Sequence, residues 1–201
     1  CARLAPRCIS RASALDVSPK DGAAPCLNGT MARSYALDSF DLDFFDTAPV
    51  SYRIDVNLPV TPERAWAELT RQHTLDWCRA IRGIEFTSPP PYGVGTTRRA
   101  KLGLGVALSE YFFDWVEEPG EHHYRNAFRG ESVTVPGLSR FGELTEVSSA
   151  DVGCRLVWRF ALELATGAKP VRLFSGPTAA SVFKTVETDT LRHFSTLRPQ
   201  T

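Results

Sequence analysis

The sequence predicts an α+β fold, an antiparallel meander with its helices gathered on one side and a long amphipathic helix at the end. Three observations carry this. Residues 51–58 alternate apolar and polar side chains and run directly into a capped helix. Between 84 and 164, short strand-like runs are parted by turn signals. Beyond 177, apolar residues recur at spacings of three and four.

In the first strand Tyr52, Ile54, Val56 and Leu58 fall on one side, and Ser51, Arg53, Asp55 and Asn57 on the other. Pro59 ends the ladder because it has no N–H to donate. Thr61 is a good N-cap, Pro62 suits the first helical position, and Glu63 sits where the helix dipole favours negative charge. A second short helical stretch is predicted over 73–79, holding Leu75 and Trp77. Ile84–Phe86 begins a strand that Ser88-Pro89-Pro90-Pro91 stops. Strands are then predicted over about 96–102, 106–117, 122–129, 140–147 and 154–164. Gly103-Leu104-Gly105, Glu118-Pro119-Gly120 and Ala150-Asp151-Val152-Gly153 supply turns. In the last strand Leu156, Trp158, Phe160, Leu162 and Leu164 share one side, which implies a sheet with one covered face.

The terminal helix is predicted from Pro177 to about Leu197. Ala179, Phe183, Val186, Thr190, Phe194 and Leu197 form its stripe, with Lys184, Glu187, Asp189 and Arg192 off it. Such a helix buries its stripe on the apolar face of the meander.

Composition narrows the function classes. The 201 residues suffice for one domain with a sizeable core, and 23 basic residues balance 23 acidic ones. That balance gives no nucleic-acid footprint. No apolar run approaches the roughly 18 residues of a membrane span. Five cysteines show neither a CxxC nor a Cys/His ligand spacing, and Cys78 and Cys154 read as packed thiols. A reducing, cytoplasmic setting is expected. Residues 1–30 lack periodicity and an apolar segment, so a disordered tail is expected there. Met31 is the single methionine, and the expectation is that translation begins at it, with 1–30 outside the native protein. Residues 31–49 read as an acidic, aromatic arm ahead of a domain over 50–198.

The order of elements resembles the helix-grip fold of the START-like (SRPBCC) superfamily, and within it the polyketide cyclase/dehydrase family. The resemblance rests on Val56-Asn57-Leu58-Pro59-Val60-Thr61-Pro62-Glu63-Arg64-Ala65-Trp66, on Gly93-Val94-Gly95-Thr96-Thr97-Arg98, and on Glu110 leading to Trp115-Val116-Glu117. Residues Thr145 to Leu162 are similar to the family's last strands. The resemblance implies a curved antiparallel sheet of six or seven strands wrapped around the terminal helix. It also implies a deep apolar cavity for lipids, polyketides or similar molecules.

A hairpin centred on Leu104 pairs residues whose numbers sum to 208, so Arg98 faces Glu110 on the side of Ala100, Leu102, Val106 and Leu108. Two readings of that pair stand side by side. It is either a polar anchor inside an apolar cavity, with Glu110 and Arg98 the candidate catalytic groups, or a structural ion pair near the rim. Trp77, Phe112, Tyr124, Asn126, Trp158, Phe160 and Phe183 join Arg98 and Glu110 as candidate ligand-binding residues, although each aromatic also fits plain core packing. His122 and His123 are neighbours on a strand and point to opposite faces, so they do not chelate one metal together. No metal, hydrolase, P-loop or dinucleotide motif is present, and no cofactor is expected.

Three functions follow. The favoured one is a monomeric or homodimeric protein that shields a hydrophobic small molecule, with the terminal helix and the Pro89–Gly95 loop as its gate. The second is a cyclase or dehydratase that templates a flexible chain, with Glu110 as acid or base and Arg98 on an enolate oxygen. The third is a protein-interaction module with a filled interior.

Overall fold

The computed structural model describes residues 33–167 and 176–197. The expectations for residues 1–30 lie outside those described. Strand β1 (Tyr35–Ala36) and helix α1 (Phe44–Thr47) precede β2 (Val50–Leu58) and α2 (Pro62–Thr70). There follow β3 (Ile81–Phe86), β4 (Thr97–Leu102), β5 (Ala107–Glu118), β6 (His123–Val133), β7 (Leu138–Ser149), β8 (Cys154–Leu164) and α3 (Gly176–Thr196). The main sheet is a seven-strand antiparallel path in the order β2-β8-β7-β6-β5-β4-β3, with β1 paired to β6. It curls around α3. The first and last main strands are therefore neighbours, Ile54 lying opposite Trp158.

The opening β–α unit forms as its residues dictate. Ile54 and Leu58 are buried while Arg53, Asp55 and Asn57 are exposed. The Thr61 side chain accepts a hydrogen bond from the Arg64 amide at 3.3 Å, with Pro62 at the first helical position. The second short helix expected over 73–79 is instead a string of turns. The amides of Thr74, Cys78 and Ile81 bond carbonyls three residues back, and Leu75 takes a φ of +58°, which α-helical geometry excludes.

The inner face of the sheet and α3 share one core that includes Phe112, Phe128, Trp158, Phe160, Val186 and Phe194. Burying such side chains stabilises the fold by about 1.5–3 kcal/mol each relative to exposure. Cys78 and Cys154 are buried free thiols within it.

The sheet is covered on part of its other face too. Phe44 and Phe45 pack there against Ala127, Leu144 and Ala161, which is why the outward-facing Ala161 of β8 is buried. Small residues make room. A side chain at Gly142 would collide with the Phe40 ring and the Phe128 carbonyl. Arg159 fastens the segment by donating to the Phe45 carbonyl at 2.8 Å.

One residue on α3 departs from expectation. Asp189, assigned to the wet side, is 2% exposed, because Arg79 reaches over it from the turn before β3.

Candidate functional site

Between the inner face of the sheet and α3 lies a cavity of about 90 Å³. Ile84, Ala100, Leu108, Phe128, Phe141 and Val186 are among its apolar lining. Its charged lining is Arg98, Glu110 and Glu143.

The β4–β5 hairpin has the expected register: Ala100 opposite Leu108 and Arg98 opposite Glu110. Period two then turns Arg98 and Glu110 to the inner face, where they are 6% and 3% exposed. Arg98 Nε donates to Glu110 Oε2 at 2.5 Å. Three rings wall the guanidinium, with its carbon 4.8 Å from the Phe128 centroid, 5.0 Å from Phe112 and 5.7 Å from Phe86. A planar, delocalised cation suits such an aromatic enclosure. The pair is an interior feature and not a rim ion pair.

Glu143 is the member that sequence reasoning missed. It stands on β7 opposite Phe160 of β8 and Phe128 of β6, partly buried and facing the cavity. Thr145 donates to Glu143 Oε1 at 3.0 Å, and the Trp158 indole N–H donates to Thr145 Oγ1 at 2.5 Å. An indole nitrogen only donates, so it takes an acceptor site on Thr145 and leaves the hydroxyl proton for Glu143. The signal was visible in the strand: Phe141, Glu143, Thr145 and Val147 alternate onto one face, with one carboxylate among them.

Burial raises the pKa of both carboxyls. Glu110 lies above the ordinary carboxylate value because it has lost its water, although Arg98 pulls in the opposite direction. Glu143 is pushed up to about 7, first by burial; Arg98 lowers it, Glu110's charge raises it, and its hydrogen-bond donors lower it. Two carboxyls thus share one guanidinium in a low-dielectric space. The set offers a near-neutral acid or base beside a fixed cation.

The other candidates divide. Phe160 and Phe183 line the cavity, and Phe183 stacks on Tyr52 at 4.2 Å. Phe112 faces Arg98, and Trp158 reaches Glu143 through Thr145. Trp77 is elsewhere: it stacks flat on His193 at 3.8 Å. Tyr124 stacks on Trp66 and its hydroxyl donates to Glu63 at 3.5 Å, so it belongs to the α2 contact. Asn126, buried on the same strand, is not among the cavity-lining residues. For Tyr124 and Asn126 the period-two argument gave a buried face but not the position along the cavity, while Trp77 lies in the turns over 71–80. His122 meets Glu63 and His123 meets Glu118, and among the described residues no group of three or more metal-ligating side chains converges. No helix among the described residues is long and apolar enough to cross a membrane.

Comparison with known proteins places the chain. The sequence profile described as polyketide cyclase / dehydrase and lipid transport matches residues 48–197. An uncharacterised protein of Mycobacterium tuberculosis is 34% identical over 137 residues, which is 68% of this chain and 79% of that protein. A counterpart in Mycobacterium bovis matches to the same extent. Among solved structures, a START superfamily protein from Mycobacterium smegmatis superposes with a TM-score of 0.56 at 10% identity, covering 73% of this chain and 98% of that one. The Zhui aromatase/cyclase from a Streptomyces species gives 0.55 at 12% identity, over 74% and 93%. At those identities the likeness is one of fold.

Proposed function

This chain belongs to the polyketide cyclase/dehydrase and lipid transport family, and on that premise we propose that it binds a hydrophobic small molecule, lipid-like or polyketide-like, between the sheet and α3. One observation carries the reading: an apolar cavity whose polar groups converge at Arg98, Glu110 and Glu143. Ligand pockets are built this way, an apolar lining with a few placed polar groups. A plain core would not leave two carboxyls facing a void.

At about 90 Å³ the cavity is smaller than the roughly 300–1,000 Å³ that drug-sized ligands occupy. Binding therefore requires the enclosure to open. The first half of α3 is the part to move, since Val182, Phe183 and Val186 line the cavity while Asp189 ties the second half to Arg79. Tyr92 of the 89–95 loop, stacked on Phe86 at 4.0 Å, is the companion element.

Native mass spectrometry of gently purified protein tests the proposal. The expected result is an apolar adduct on the wild type that Ala100→Phe, which fills the cavity, removes while the circular dichroism spectrum is kept. Absence of any adduct, together with no binding of the neutral probe N-phenyl-1-naphthylamine, would contradict it.

A second reading has its own support. A carboxyl titrating at about 7 beside a fixed guanidinium suits acid–base work in a cyclase or dehydratase. In that case Glu143→Gln and Glu110→Gln each lose turnover on a polyketide-type substrate while binding persists. Loss of binding alone would return the site to a carrier.

A further inference from the structure

Resting on the reading of the cavity as a hydrophobic-ligand site, we propose that its ligand carries one protonated nitrogen on an apolar body, with Glu143 as the counter-ion. The first ground is the count of charges. Arg98 is the cation of the cavity lining, and its Nε is already given to Glu110. Glu143 has no cation of its own there. From β6 and β8 the neighbours opposite it are Phe128 and Phe160, and α3 presents Val182, Phe183 and Val186. Arg98 and Glu110 are thus the ionisable groups that face it across the cavity among the described residues. A ligand cation would complete the set: two carboxylates and two positive charges.

The second ground is the donor chain. Trp158 fixes Thr145 so that its hydroxyl donates to Glu143 Oε1. Donors on its carboxyl lower the cost of keeping Glu143 ionised, and so favour a ligand that brings a donor to a carboxylate. An ammonium group is such a donor.

The third ground is the lining. Phe128, Phe141, Phe160 and Phe183 surround the same space, and their ring faces attract an alkylammonium while accommodating its hydrocarbon. An anionic ligand head would meet two carboxyls for one partly committed guanidinium.

The sign of the pH effect follows. Amine binding requires Glu143 ionised, so affinity rises with pH through about 7, until the amine itself loses its proton. Between pH 6 and pH 8 the rise is about tenfold, following the ionised fraction of the carboxyl. Binding below pH 7 also releases a proton.

The test is calorimetric titration of the full chain with decylamine, decanol and decanoate at pH 6 and pH 8. The expected result is decylamine tightest at pH 8 by about tenfold or more over decanol, weaker at pH 6, with proton release shown by buffer dependence of the heat. Glu143→Gln should bring decylamine to the level of decanol, and Thr145→Val should weaken the preference without removing it. Equal or tighter binding of decanol or decanoate overturns the amine assignment and leaves the hydrophobic-ligand reading intact. So does an amine preference that survives Glu143→Gln. Binding of none of the three overturns both.

Discussion

Two buried carboxylate–arginine clusters stand at opposite ends of the same helix contact, and they behave in opposite ways. At the cavity, Glu110 and Glu143 share Arg98, and burial raises both carboxyls. At the other end, Asp189 of α3 accepts from the Arg79 amide at 3.0 Å and from its guanidinium at 2.9–3.2 Å, and from Arg192 at 3.0 Å. Its carboxyl is held below the ordinary value, chiefly by the hydrogen bonds from Arg79. The difference is one of partners and water. Asp189 has two arginines whose side chains are 69% and 63% exposed, so they keep their hydration while they pair. Arg98 is itself enclosed, and it has two carboxyls to answer. An over-supplied carboxylate anchors; an under-supplied one is left to titrate.

Arg98→Met should cost about 3–5 kcal/mol in chemical denaturation, because Glu110 is then stranded without a counter-charge. A cost below about 1 kcal/mol would mean that Glu110 is already neutral.

The next effect is pH dependence. Glu143 titrates at about 7 folded against 4.5 for an ordinary glutamate, so between those values the folded state holds a proton that the unfolded chain has released. Stability from this group is full below pH 4.5 and declines as pH rises through 7, by roughly 3 kcal/mol in all. Glu143→Gln should flatten that slope in urea titrations from pH 5 to pH 8 and be the more stable form at pH 8. Asp189 works the other way: its lowered pKa gives stability that is present at neutral pH and lost as pH falls into the carboxylate range. Asp189→Asn should cost about 2 kcal/mol at pH 7, the scale of a charge-assisted hydrogen bond, and less at pH 3. Arg192→Ala, which removes one exposed partner, should cost under about 1 kcal/mol in thermal melts.

The architecture was legible because its signals are local and periodic. The alternating burial of residues 50–58, the Thr61 cap and the β4–β5 register all follow from alternation and turn chemistry. The turns over 71–80 were not legible, since Leu75's positive φ and the bonds of Arg79 to Asp189 depend on α3, more than a hundred residues away. The same contact hid Asp189, which sits three residues after Val186 and so on the margin of the stripe. Arg98 and Glu110 emerged from hairpin arithmetic. Glu143 required knowing that β7 lies two strands from β5 in a curled sheet, which brings its carboxyl toward Arg98. Alternation tells which face a residue occupies but not how far along the cavity it lies, and that is why Tyr124 and Asn126 were placed with the site and lie outside the cavity lining, whereas Trp77 was placed there on a helix that the turns over 71–80 replace.

The most direct measurement is a carbon-13 NMR titration of the side-chain carboxyls, assigned with Glu143→Gln and Asp189→Asn. Glu143 should titrate near 7 while Asp189 stays ionised to below the usual aspartate range. Both groups titrating together at ordinary carboxylate values would contradict it.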